Sequence, residues 1–241
     1  MSVQLSFEVP IKYSEQLDDT QDYLFVLGQN LDDATYFDYV RRSDKYKILD
    51  NGANESTYIP PYRLAYLCDQ IHANMVVIPD VQFSFVQSMS LFTTFYNLIK
   101  RKNPEIALMG VPQGNNFHLH RKMVLAMNKV VNAIGIPYKL ILHFGYGIIP
   151  TTQTPLHMLG FPDKDVGYYM NSNGNFKSMD TGAPFNAALK GIRFEELIAP
   201  VRGVNIADSN IKLTSDIEDL FRHNVKILRK IVSEQPQTVK I

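Results

Sequence analysis

The chain of 241 residues is poor in cysteine, has no excess of either charge and contains no long hydrophobic run, and each shortage narrows what it can be. Its one cysteine, Cys68, excludes an internal disulfide and any multi-cysteine zinc site. Cys68 sits in Tyr66-Leu-Cys-Asp-Gln70, on an expected helix, and reads as a small core residue. Lys+Arg and Asp+Glu balance at 24 each, so net charge exerts no general pull toward nucleic acid, although a local basic patch stays compatible with that balance. No basic start is followed by an apolar h-region, and no apolar run approaches the roughly 18 residues of a membrane span. The expectation is a protein of a reducing compartment, cytoplasmic and without membrane contact. Internal repeats, low-complexity segments and linker-like stretches are also missing. One domain is therefore expected over residues 1–241, with an N-terminal strand and cap over 1–20 and a loose tail over 236–241.

What is present is an alternation. After a strand-like start, Val3 to Val9, apolar runs alternate with turns and amphipathic stretches, the pattern of βα units and a parallel sheet. The runs are Tyr23–Leu27, Tyr46–Asp50, Asn74–Asp80, Ile106–Val111, Tyr138–Phe144, Leu156–Gly160 and Phe176–Asp180, with Val201–Ala207 as the weakest. Helices are expected near 36–40, from Pro60-Pro61 to His72, from Phe83 to Lys102, from His118 to Ala133, briefly after Pro162, and from Leu213 to Val232. Phe85, Met89, Phe92 and Phe95 recur at helical spacing and read as core. The length and the alternation together predict an α/β (β/α)₈ barrel of the TIM type.

Five strand ends carry polar or glycine signatures: Asp50, Asp80, Gln113, Gly145 and Asp180. Taken singly each has a plainer reading, because Asp, Asn and Gly are common turn residues and an Asp after a strand is often only a helix cap. In a barrel, however, the loops at the C-terminal strand ends gather in one mouth, where such enzymes keep their chemistry. Asp50 and Asp180 each end an apolar run before a glycine turn. Two carboxylates facing one mouth suit a reaction at a sugar anomeric carbon.

The same segments resemble, in order from residue 49 to residue 184, the motifs of the queuine and archaeosine tRNA-guanine transglycosylases. Leu49-Asp-Asn-Gly-Ala-Asn-Glu55 is similar to their Asp-Ser-Gly-Gly-aromatic-Gln motif. Val77-Ile-Pro-Asp80 resembles their third-strand Asp, and Gly110-Val-Pro-Gln-Gly114 their Gly-Ile-Val-Gln-Gly. Leu156-His-Met-Leu-Gly160 resembles their Tyr-Leu-Met-Gly, and Met179-Asp-Thr-Gly-Ala-Pro184 the Phe-Asp-x-x-x-Pro of their nucleophile. The family's zinc site of three cysteines and a histidine cannot exist here, and its tRNA-binding insertions have little room. Asn54 stands where the family places an aromatic that stacks on the base, so stacking must come from elsewhere. The compact, zinc-less form resembles the DNA-guanine transglycosylases that insert a 7-deazaguanine such as preQ0 into DNA, in particular the bacteriophage-type members (the DpdA group).

The resemblance implies roles. Asp180 would be the nucleophile on C1′, forming a covalent sugar ester, and Asp50 the general acid/base. Asp80 would accept N–H bonds from the guanine-like edge, with Gln113 and the Gly145 N–H donating to the carbonyl oxygen. Leu159 and its neighbour Met158 would cover one face of the base, and Tyr146 or Phe144 the other. Phosphate contacts are expected from Arg63, Arg121, Lys122, Lys190 and Arg193, each of which also fits a solvated helix face. His118 and His120 are near enough in sequence to touch phosphate, while His143 and His157 read as buried strand residues. No cofactor and no metal are expected. The partners are DNA, with its guanine flipped or single-stranded, and the free base; a homodimer is left open. Three other readings stay open: the same chemistry on tRNA, an inactive paralogue that binds nucleic acid, and a hydrolytic nucleosidase.

Overall fold

A computed structural model describes residues 3–53, 59–161, 175–197 and 210–233. The strand expected at Val201–Ala207, the helix after Pro162, the tail, Asn54 and the side chain of Tyr146 lie outside the described residues. Among the described residues eight strands are present: β1 (Gln4–Phe7), β2 (Leu24–Leu27), β3 (Lys47–Asp50), β4 (Met75–Val77), β5 (Ala107–Gly110), β6 (Ala133–Pro137), β7 (Leu156–Leu159) and β8 (Phe176–Thr181). The described α-helices are α1 (Ala34–Arg42), α2 (Pro61–Gln70), α3 (Phe85–Lys102), α4 (Phe117–Met127), α5 (Tyr138–Phe144), α6 (Ala183–Leu189) and α7 (Ser215–Ser233). Hydrogen-bonded neighbours follow the order β1-β8-β7-β6-β5-β4-β3-β2. The pairs β1–β8, β2–β3, β3–β4, β4–β5 and β5–β6 are all parallel. This is the α/β fold of a TIM-like barrel, with the strand-like N-terminal segment serving as the first strand.

Two compact units are resolved, one made of Met1–Asp22 and Met158–Ile241, the other of Tyr23–His157. The Tyr23–His157 unit carries β2 to β6. Its strands are short and apolar, and β3 is buried along its whole length. Helix starts follow the capping rules: Asp33 accepts from Tyr36 N at 2.9 Å, Asn116 from Leu119 N at 3.0 Å, and Pro61 occupies the first turn of α2. Phe92, Phe95 and Ile99 are the buried stripe of α3, while Phe85 and Met89 are half-buried. Cys68 is buried in α2, as expected for a core thiol, and burial pushes its pKa up to about 12, which leaves no thiolate to react.

One run is corrected. Tyr138–Phe144 is the helix α5, and the strand is Ala133–Pro137 just before it. Leu140 and Ile141 are buried while Leu142 is exposed, a helical distribution. Pro137 ends the strand and caps the helix, because its fixed φ suits both. A short continuous apolar run does not distinguish a strand from a buried helix by periodicity alone. The preceding helix accordingly stops at Met127 rather than at Ala133.

In the other unit β1 and β8 pair with Ser6 opposite Asp180. Helix α7 buries Phe221, Val225, Leu228 and Val232. Asn224 is fully buried among them. Its Oδ1 accepts from Phe194 N at 2.8 Å, and its Nδ2 donates to Pro184 O at 3.1 Å and Ile192 O at 3.2 Å. Arg229 grips Asp22 with two bonds of 2.9 Å, and Asp22 in turn accepts from Leu5 N at 2.8 Å. Replacing Asn224 by Leu preserves volume but strands one buried N–H and two carbonyls. We expect Asn224→Leu to cost about 3 kcal/mol in denaturant unfolding, whereas an exposed substitution such as Lys226→Ala should fall within about 0.5 kcal/mol.

Candidate active site

Within the Tyr23–His157 unit the ends of β3, β4 and β5 meet. Asp50 is the last residue of β3 and is buried; its Oδ2 accepts from Gly52 N at 2.8 Å. Gly52 adopts φ 75°, the left-handed conformation that this tight turn requires. Gly28, just after β2, allows close approach, since a Cβ there would lie 2.9 Å from Asp50 O. Asn51, also buried, accepts from Ala53 N at 2.7 Å through Oδ1. Its Nδ2 donates to Ile78 O and to Asp80 Oδ1, both at 2.8 Å. Gln113 donates through Nε2 to Asp80 Oδ2 at 2.6 Å and accepts from Phe83 N at 3.0 Å through Oε1.

Both amide side chains are thereby oriented. Backbone N–H groups claim the oxygens of Asn51 and Gln113, so their NH₂ groups must point at Asp80. Asp80 keeps some surface open to solvent, but protein atoms enclose its carboxyl. Burial pushes its pKa up to about 6, against the opposing pull of the Asn51 and Gln113 hydrogen bonds. The result is a carboxylate held by two fixed donors and ionised at neutral pH.

In the other unit Asp180, nearly fully buried near the end of β8, accepts from Gly160 N at 3.2 Å through Oδ2. Its main-chain oxygen accepts from Phe161 N at 3.4 Å. Thr181 bonds Phe161 O through its hydroxyl and accepts from Ala183 N at 3.0 Å, which anchors the start of α6. Gly160, at φ 65°, turns the chain back after Met158, which is buried, and Leu159, which is half-buried.

The structure thus links Asp80 by side-chain hydrogen bonds to Gln113 and to Asn51, a turn residue that follows Asp50 directly and that the sequence motifs do not single out. Asp180 stands beside the end of Met158-Leu159-Gly160. Gly145 is not at a strand end: it is the C-cap of α5, and its N–H donates to Ile141 O at 2.8 Å. The misplaced strand is the cause, and that N–H is already committed to closing a helix. Of the expected phosphate contacts, Arg63 pairs with Asp32 at 2.5 Å, while Arg121 and Lys122 are exposed on α4. Lys190 and Arg193 are exposed after α6. His118 is exposed. His120 is buried, with Nε2 3.3 Å from Ile148 O, and burial lowers its pKa. His157 is buried as expected, stacked on Phe25, and burial lowers its pKa to about 3. His143, expected in a strand interior, is instead exposed on α5.

Among the described residues no group of three or more His, Cys, Asp or Glu side chains is placed to hold a metal ion. No described helix is long and apolar enough to cross a membrane. Compared with known proteins, the chain matches no protein-family model and no curated protein.

The Asp80 carboxyl sets a sign for stability. Its pKa is higher folded than unfolded, so the folded state binds the proton more tightly. Its favourable contribution is complete below about pH 4 and is lost as pH rises through about 6. Asp80→Asn, which mimics the protonated acid, should gain stability relative to the parent as pH increases across that window. Denaturant unfolding at pH 4.5 and 7.5 measures this; a parent-to-variant difference that does not change with pH would contradict it.

Proposed function

We propose that this protein is a DNA-guanine transglycosylase that exchanges guanine in DNA for a 7-deazaguanine base such as preQ0. The observation that carries the reading is the Asp80 carboxylate, held at strand ends by Asn51 and Gln113 and flanked by the Asp50 turn. A carboxylate in that state accepts two N–H bonds from N1 and the exocyclic amine of a guanine-type edge, which adenine does not offer. Gln113 stands beside it as an amide at the same edge. Active sites of TIM-type barrels lie at the C-terminal strand ends, and Asp50 and Asp180 both occupy such positions on their own strands.

In the reaction, an Asp180 oxygen attacks C1′ as the bond from C1′ to guanine N9 breaks. The electron pair leaves with N9, and Asp50 delivers the proton that neutralises it. N9 of the incoming deazaguanine then attacks C1′, displaces the Asp180 ester and returns its proton to Asp50, so no water is consumed. By the family resemblance, Met158 and Leu159 would cover one face of the base. Arg121, Lys122, Lys190 and Arg193 offer exposed cations to phosphates; Arg63 does so only by releasing Asp32. A duplex guanine must be flipped out, at a cost of a few kcal/mol.

Labelled 7-deazaguanine incubated with the protein and either guanine-containing DNA or tRNA tests the reading. Incorporation into DNA but not tRNA is expected. Uptake into tRNA alone would move the chemistry to that polymer, and guanine release without uptake would make the protein a nucleosidase. No reaction, with nucleic acid still bound, would mark an inactive binding paralogue. Asp180→Asn should abolish a trapped covalent DNA adduct, and Asp50→Asn should slow exchange by about 10²–10⁴-fold. Because the ionised Asp80 does the reading, affinity for the free base should fall as pH drops below about 6. Affinity constant from pH 5 to pH 8 would remove Asp80 from recognition.

A further inference from the structure

Phe83 is an aromatic residue held where its own preferences would not place it. Its φ is 60°, a conformation that a bulky residue enters only under constraint. It is also among the large hydrophobic side chains left exposed, at 36%. Strain and apolar exposure both oppose folding, and strained backbone persists where surrounding contacts over-determine it, commonly at ligand sites. Here the constraints are visible. Phe83 N donates to Gln113 Oε1 at 3.0 Å, and Gln82 Nε2 donates to Ala53 O at 3.4 Å. Val81 is tied through both backbone groups to the buried Ser88 hydroxyl, at 2.9 and 3.0 Å. The loop from Asp80 to Phe83 is thus pinned on the Asn51 side and on the Gln113 side, within one unit.

The ring also has company. Its centroid lies 5.2 Å from that of His143, with planes at 64°, and His143 meets Phe144 edge-on at 4.4 Å. A row of three rings therefore begins at the residue whose N–H orients Gln113, and Gln113 holds the carboxylate proposed to read the base. The residue at 54 supplies no aromatic, so a base bound by Asp80 and Gln113 needs a π-surface from another segment.

We propose that Phe83, backed by His143, is the aromatic wall on which the base held by Asp80 and Gln113 stacks. The inference deepens the base-exchange reading and rests on it. The same hydrogen bond that fixes the Gln113 amide fixes the Phe83 backbone, so edge recognition and face recognition share one anchor. Ring–base stacking contributes the affinity and is indifferent to base identity, while Asp80 supplies the choice.

The test uses the full chain and 7-cyano-7-deazaguanine as probe, with affinity from calorimetry and stacking from the loss of base absorbance on binding. Phe83→Ala and Phe83→Leu should each weaken binding about tenfold or more. Phe83→Leu should in addition lose the absorbance change, and Phe83→Trp should restore both. Thermal melting of each variant identifies any loss of folding, and Phe83→Leu keeps the apolar bulk in case Phe83→Ala does not fold. If Phe83→Leu binds as tightly as the parent while Asp80→Ala does not bind, stacking on Phe83 is overturned and the base-exchange reading survives. If the parent binds neither this base nor guanine, both are overturned.

Discussion

The arrangement of the Tyr23–His157 site depends on one constraint: the Asp80 carboxylate must be held where bulk water solvates it poorly. Its two oxygens take one N–H each from Asn51 and Gln113, and the other ends of those amides are fixed by the backbone at Ala53 and Phe83. Each bond on its own contributes about 1 kcal/mol, more where the acceptor is charged. The larger effect is the cost of breaking one, because a buried donor or acceptor is then left with nothing in exchange. Three strand ends are therefore locked into one geometry by a group that none of them would tolerate alone.

The opposite ends of the strands make an instructive contrast. There, polar side chains close the ladder. Asn74 Oδ1 accepts from Lys47 N at 2.8 Å, and Asn132 Oδ1 from Leu108 N at 2.9 Å. Each continues the sheet where a neighbouring strand has not yet begun. In the other unit Asp22 does the same for Leu5 N, with Arg229 neutralising it. These residues use their acceptors on backbone amides and serve stability. Asp80 is held instead by side-chain amides, and each of its oxygens has capacity for a further donor. That difference in partners, rather than the presence of a carboxylate at a strand end, favours the binding role proposed for Asp80 over that of a cap.

Much of this was legible in the sequence. The alternation of apolar runs with amphipathic stretches located β2 to β5, β7 and β8, because those strands are bounded by glycine or polar turns. Asp80 and Gln113 stood out as strand-end polar residues and are hydrogen-bonded to each other in the structure, while Asp50 accepts from Gly52 N within its own turn. Where the signal failed, the cause is physical. Tyr138–Phe144 is apolar on too many sides for period 2 and period 3.6 to differ, so its sequence fits a strand ending at Gly145 as well as the helix and C-cap that it forms. Asn51 was hidden by its neighbour, since a turn asparagine is ordinary until its amide is seen to meet a carboxylate. Phe83 was absorbed into the helix that starts two residues later, and no sequence pattern announces a positive φ at phenylalanine.

The protonation of Asp80 is where structure and the proposed chemistry meet. An ionised carboxylate is acceptor-only, and so it matches an edge with two adjacent donors. The protonated acid offers one donor and one acceptor and would match an edge of mixed character instead. Its raised pKa, near 6, leaves the ionised form dominant at neutral pH but only modestly favoured. A guanine-type edge that donates twice stabilises the charge and draws the pKa down, so binding and ionisation reinforce one another. An edge that places an acceptor against Asp80 must first return a proton to it. Poor solvation, which raises the pKa, therefore also sharpens selectivity: a buried charge awaiting donors discriminates more strongly than a well-hydrated one, for which water substitutes.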